Sequence, residues 1–245
     1  MIASDILSVL PPLPLKLSRD DVHLWQLELG QMNLDIPWFA SMLSTEERMR
    51  AENFRFERHK NRFIVTRGTL RKILSLYLKT EPNRLKFCYG AYGKLHLPEN
   101  VCNVQFNLAH SHELALYALT HGRNVGVDVE YVRYIPDFEK VGASFLSKRE
   151  KAAYKTLPSN QKLRAFFDFW TSKEAYSKAI GTGLTLPFDQ FDVPVNSRDS
   201  SCKINFWKDA KKVSRWSFVS LVPAPGYIAT LVTEGHDWHL HRFRF

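Results

Sequence analysis

Asp128 and Glu130 stand two residues apart in the stretch N-V-G-V-D-V-E-Y, residues 124–131. The alternation of Val125, Val127 and Val129 with Gly126, Asp128 and Glu130 predicts a strand, whose side chains point to opposite faces in turn. The valines make one face apolar. The other face holds two like charges side by side, a repulsion that water can screen or a cation can remove. A third carboxylate, Glu174, lies in F-W-T-S-K-E-A-Y-S-K-A-I-G, residues 169–181. On a helix, Trp170, Lys173, Glu174 and Lys178 fall within an arc of about 140°. Three carboxylates suit a hard cation such as Mg²⁺, which takes one or two carboxylates plus phosphate oxygens and water. Lys173 and Lys178 would suit those phosphate oxygens. Each piece alone has a plainer reading. One is a solvated strand face; the other is an exposed Glu174–Lys178 pair at i,i+4, contributing about 0.2–0.5 kcal/mol.

The elements that must position these residues can be read from periodicity. V-H-L-W-Q-L-E-L (22–29) predicts a strand. Ser44 with Glu47 is a capping box, so a helix should start at Thr45. A helix over about 59–79 places Phe63, Leu70, Ile73, Leu74 and Tyr77 on one face. Short strands follow near 85–89, 104–108 and 113–120, with a turn at A-Y-G-K (91–94). After 125–130 the order repeats in outline. There is a helix over about 137–144, a second capping box at Ser147 and Glu150, and a helix over about 160–180. Gly181 ends that helix as its C′ residue. Strands follow near 202–206, 215–222, 227–233 and 237–243. This predicts an α+β protein of two similar halves, 1–122 and 123–245, related by a pseudo-twofold, with no clear sequence identity between them. The C-terminal strands could pack back on the first half.

Composition narrows the function. The net charge of +9, from 34 Lys and Arg against 25 Asp and Glu, favours an anionic partner. The basic residues are spread along the chain, and no zinc finger or nucleic-acid signature is present. Cys88, Cys102 and Cys202 form no C-x-x-C pair, so neither a disulfide framework nor a thiolate metal site is indicated. The proline-rich opening, I-L-S-V-L-P-P-L-P-L, reads as an extended lead-in and not as a signal peptide or membrane span. A cytoplasmic protein is the expectation.

V-G-V-D-V-E followed by F-W-T-S-K-E-A-Y-S-K-A-I-G-T-G-L resembles the paired signature of the Sfp-type 4′-phosphopantetheinyl transferases, G-(I/V)-D-(I/V/L)-E and W-x-x-K-E-(A/S)-x-x-K. F-N-L-A-H-S (106–111) resembles that family's F-N-x-S-H-S, and A-Y-G-K its Y-G-K-P. The ordered set covers about residues 44–191. Within the family it most resembles the cyanobacterial members linked to heterocyst glycolipid synthesis. The resemblance implies a monomeric pseudo-dimer with its active site between the halves. It implies coenzyme A as donor, Mg²⁺ (or Mn²⁺) as cofactor, and as acceptor the apo carrier of a fatty acid, polyketide or peptide synthase. Asp128, Glu130 and Glu174 match the metal ligands. Glu174 also matches the group that activates the acceptor serine, directly or through bound water. Lys178 matches the lysine at the pyrophosphate, and His110 and Lys94 match groups near the 3′-phosphate. Arg50 and Arg62 align with basic residues that hold nucleotide phosphates. Leu95 replaces the motif's proline and Ala109 its first serine, changes that could weaken coenzyme A binding.

The residue types fit that chemistry. Breaking a phosphoanhydride needs charge stabilisation and positioning more than covalent help, and no Ser or Cys nucleophile with an adjacent base is apparent. Two other readings use the same features: a basic nucleic-acid-binding protein, and a metal-dependent phosphohydrolase built on the three carboxylates.

Overall fold

The computed structural model describes residues 15–30, 34–98, 103–193, 205–206 and 215–245. Most of the proline-rich lead-in and part of the expected strand near 202–206 lie outside these residues. The first half runs β1 (Asp21–Glu28), α1 (Ile36–Ser41), α2 (Thr45–Glu52), α3 (Glu57–Leu78), β2 (Cys88–Tyr89), β3 (Leu95–His96), β4 (Val104–Ser111) and β5 (Leu114–His121). The second half repeats that order with β6 (Val125–Tyr131), α4 (Phe138–Phe145), α5 (Lys148–Lys155), α6 (Ser159–Ile180), β7 (Phe191–Asp192), β8 (Asn205–Phe206), β9 (Trp216–Leu221) and β10 (Tyr227–Glu234). A last strand, β11 (His239–Arg244), pairs in parallel with β1.

Two sheets lie at the centre, ordered β11-β1-β5-β4 and β6-β10-β9. Strand β5 shows why its sequence, L-A-L-Y-A-L, carries no polar alternation. Ala115, Tyr117 and Leu119 face the core under α3, while Leu114, Leu116 and Ala118 face the second sheet. A strand covered on both faces reads as a continuous apolar run. The valines of β6 enter the same inter-sheet core. Beyond the second sheet, Phe166, Phe167 and Phe169 of α6 pack with Ile228 and Val232 of β10. The layers are thus α3, sheet, sheet, α6, with the pseudo-twofold between the sheets.

The halves match at the level of single residues. Helices α3 and α6 both have 22 residues and both end on a left-handed residue, Lys79 and Gly181. Ser44 and Ser147 each close a reciprocal capping box, with Glu47 and Glu150. Both glutamates are buried, and each holds the cation at the fifteenth position of the long helix. Arg71 Nε lies 2.5 Å from Glu47 Oε2, and Lys173 Nζ lies 2.9 Å from Glu150 Oε2. Each cation also donates to two backbone carbonyls in the segment after its helix, Pro82 and Leu85 for Arg71, Phe188 and Phe191 for Lys173. The capping box therefore anchors the short helix, the long helix and the following loop together. The two anchors match in geometry while their cations differ, Arg71 in the first half and Lys173 in the second.

Candidate active site

Strand β6 is held between two different surfaces. Its valine face packs on the first sheet, and its Gly126, Asp128 and Glu130 face meets α6. The approach is close: a Cβ on Gly126 would stand 2.0 Å from Ala175 O and 2.4 Å from Ala179 N. Only glycine permits it. Glu174 and Lys178 each precede one of these alanines, so the same approach sets them beside Asp128.

Asp128 is only 6% exposed. Lys178 Nζ donates to its Oδ1 at 2.6 Å, while Oδ2 is buried with no hydrogen-bond partner. Burial raises the Asp128 pKa to about 7 against the pull of Lys178, and Glu130 and Glu174 raise it further. Burial also raises Glu174, opposed by Lys178 and reinforced by Glu130. Burial would lower Lys178, but Asp128, Glu174 and Glu130 together raise it. Glu130 Oε2 accepts from Ser111 Oγ at 2.7 Å. The carboxylates therefore act on one another, as the opening motif requires. They are not drawn within 4.8 Å of one another among the described residues, and the Lys178 ammonium neutralises Asp128. An all-oxygen donor set with one orphaned buried oxygen fits a hard divalent cation.

The N-terminal half holds the free edge of β6. Val127 N donates to Asn107 Oδ1 at 2.9 Å, and Tyr131 N to Ser111 Oγ at 3.2 Å. Lys94 Nζ donates to Val125 O at 3.2 Å and to Ala179 O at 2.9 Å, joining β6 to the end of α6. Burial lowers the Lys94 pKa to about 8. The A-Y-G-K and F-N-L-A-H-S stretches thus supply side chains that satisfy the backbone of the carboxylate strand. Asn107 and Ser111 were not singled out from sequence. The available signal was their i,i+4 spacing in a strand, which puts both on the face turned to β6.

The remaining predicted residues divide. His110 lies on the other face of β4. It is exposed, yet desolvation by the surrounding protein lowers its pKa, and the charges of Arg62 and Lys178 lower it further. Arg62, on α3, is paired with Glu113 at 3.1 Å, as is Arg58 at 2.9 Å. Arg50, on α2, reaches Tyr89 Oη at 3.5 Å and lies over the Phe63 ring. His112 does not continue the face of His110. The strand stops at Ser111, His112 takes φ of +52°, and its ring stacks on Tyr131 at 4.6 Å. Lys173 is not available to phosphate. It is fully buried on Glu150, because 140° of helix separates it from Lys178 and turns it into the core.

The sequence pattern of the 4′-phosphopantetheinyl transferase superfamily matches residues 124–232, which contain β6 and α6. The chain is 36% identical over 229 residues to the 4′-phosphopantetheinyl transferase HetI of Nostoc sp., covering 93% of each. It is 26% identical to the 4′-phosphopantetheinyl transferase Sfp of Bacillus subtilis over 63% of this chain and 67% of that one. The 4′-phosphopantetheinyl transferase gsp of Aneurinibacillus migulanus is 31% identical over 52% of this chain and 51% of its own length.

Proposed function

The chain belongs to the 4′-phosphopantetheinyl transferase superfamily, and we propose that it moves phosphopantetheine from coenzyme A to a serine of an apo acyl or peptidyl carrier protein. The observation that carries this reading is the partnerless Oδ2 of Asp128, set beside Lys178 and within the field of Glu130 and Glu174. Asp128, Glu130 and Glu174 would hold Mg²⁺, or Mn²⁺, which when bound neutralises pyrophosphate oxygens and charge developing on the leaving group.

The chain's own groups do the rest. Lys178, which donates to Asp128 Oδ1 here, would donate to a pyrophosphate oxygen of bound coenzyme A. Glu174, with its pKa already raised by burial, takes the proton of the incoming serine. The serine oxygen bonds to the β-phosphorus, the phosphoanhydride bond breaks, and 3′,5′-ADP leaves. His110, whose pKa burial and the Arg62 charge lower, offers a neutral imidazole N–H to the 3′-phosphate, and Arg62 and Arg50 supply the positive charge of that wall. In the present geometry Lys94 serves this wall indirectly, by holding β6. Residues 1–122 then supply the nucleotide wall and residues 123–245 the metal strand, in a monomer that works in the cytoplasm. No described helix is long and apolar enough to cross a membrane.

The test mixes the protein with coenzyme A, Mg²⁺ and a panel of apo fatty-acid, polyketide and peptide carriers, and reads carrier masses. One phosphopantetheine should be added, and EDTA should prevent it. No mass gain on any carrier would remove the reading. Release of 3′,5′-ADP without a carrier would instead favour a phosphohydrolase. Dephospho-coenzyme A should be the poorer donor by roughly 10- to 150-fold, one charge-assisted contact, and His110→Ala should shrink that preference.

A further inference from the structure

We propose that Asp21, His23 and His241 form a second metal site, remote from the carboxylate centre, which takes a zinc-type transition ion and fastens β11 to β1. These three side chains each offer one ligand atom, and the atoms all lie within 4.8 Å of one another. The sheet explains why. Asp21 and His23 are two apart on β1 and so share a face. His241 is the register partner of His23 on the parallel neighbour.

The geometry is already close to a ligand shell. Bonds of about 2.0–2.1 Å at tetrahedral angles place ligand atoms roughly 3.3 Å apart. His241 Nε2 and Asp21 Oδ1 are 3.1 Å apart. The rings of His23 and His241 meet edge to face at 5.2 Å, so a small rotation of the exposed His241 closes the third side. His23 Nδ1 is engaged by Tyr77 Oη at 2.7 Å, leaving Nε2 for an ion. Tyr77 is itself fixed by Trp25 Nε1 at 2.9 Å. A ligating histidine whose other nitrogen is held by an oxygen is the usual supporting arrangement.

Two imidazoles and one carboxylate select Zn²⁺ and its transition-metal neighbours over Mg²⁺. The site lies at the β1 end that pairs with Thr120 of β5, whereas Ser111 and Glu113 of the active-site wall lie at the opposite end of that ladder. An ion here would join the C-terminal strand to the first strand of the chain.

The test is zinc binding to the full chain in saturating Mg²⁺, followed by calorimetry and thermal melting. One Zn²⁺ per chain should bind and raise Tm by several degrees. His241→Gln and Asp21→Asn, both partly or fully exposed and tolerable to the fold, should each abolish the shift. Tyr77→Phe should weaken binding about 10-fold or more. Asp128→Ala should leave zinc binding and the shift intact. Three results would each overturn the proposal: no zinc binding by the unmodified chain, equal binding by the His241→Gln and Asp21→Asn variants, or loss of binding in Asp128→Ala.

Discussion

Gly126 and Ala175 meet so closely that a Cβ on the glycine would stand 2.0 Å from the alanine's carbonyl oxygen. The obstacle is helix backbone, which cannot rotate away as a side chain can. The contact sets the distance between β6 and α6, and hence between Asp128 on one and Glu174 and Lys178 on the other. Gly126→Ala should push α6 outward. Overpacking of this kind costs about 1–3 kcal/mol, and a displacement near 1 Å at a reacting centre costs about 100-fold in rate. The expected variant is folded, somewhat less stable, and nearly inactive. A Gly126→Ala protein with unchanged kcat/KM would show that the approach does not set the site.

The carboxylates should differ in cost when removed. Asp128→Ala and Glu174→Ala each delete a ligand oxygen and expose uncompensated pyrophosphate charge. Turnover should fall by several orders of magnitude in both. Glu130→Gln keeps an amide oxygen that can still coordinate and can still accept from Ser111, so its loss should be smaller. Asp128→Ala has a second expected effect: it removes the partner of Lys178. Near-normal turnover in both alanine variants would refute the three-carboxylate site.

Lys94 gives a pH dependence whose sign is fixed. Its folded pKa, about 8 through burial, lies below the ordinary 10.5. The folded state therefore binds fewer protons than the unfolded chain between these values, and stability rises with pH across that window. The full excursion is up to about 3 kcal/mol. Lys94→Met lacks it. The unfolding free energy of the unmodified protein should climb relative to Lys94→Met between pH 8 and 10, measured by denaturant titration. A constant difference over that range would show that burial does not lower the Lys94 pKa.

Much of this architecture was readable in the sequence, for physical reasons. Period-2 and period-3.6 patterns located β1, α3, β6 and α6 within a few residues, and Ser44, Ser147 and Gly181 marked helix ends by local chemistry. Interactions that depend on tertiary approach were not readable. Glu47 and Glu150 were legible as local caps, but their buried partners Arg71 and Lys173 lie a helix away in sequence. Lys173 was read with Lys178 because both flank Glu174; the helix turns one toward the core and the other toward the strand. Asn107, Ser111 and Lys94 serve the edge of β6 that no strand pairs, and an edge exists only once the sheet order is known. The carboxylates were legible because their own spacing already posed an electrostatic problem.

The buried pair Lys173–Glu150 yields a stability prediction independent of catalysis. Glu150→Gln leaves a buried ammonium without its counter-charge, which costs about 3–5 kcal/mol. At about 2–4 °C per kcal/mol for a chain of this size, Tm should fall by roughly 10 °C. The matching change in the first half, Glu47→Gln, should be comparably damaging because Arg71 is equally enclosed. The exposed neighbour Lys148→Gln should stay within about 0.5 kcal/mol of the unmodified protein. Calorimetric melting of the three variants checks all of this, and a Glu150→Gln protein that melts with the Lys148→Gln protein would show that the anchor carries little stability.

The last expectation concerns the acceptor. A chain of net charge +9 that meets an acidic carrier should be steered to it by charge, so the carrier KM should rise with ionic strength. At 0.15 M the Debye length is about 8 Å, short enough to weaken exposed attractions. Lys148 and Arg149 are exposed at the start of α5, with Lys151 half-buried behind them. The buried Ser147–Glu150 capping box fixes that helix start, so the two side chains project from a rigid base. Reversing both to Glu should raise the carrier KM several-fold at low salt, and the gap should close as salt is added. The KM for coenzyme A should not change, because neither residue touches the cleft side chains. If the double reversal leaves the carrier KM at low salt unchanged, the patch is bystander charge, and steering must come from basic residues elsewhere on the chain.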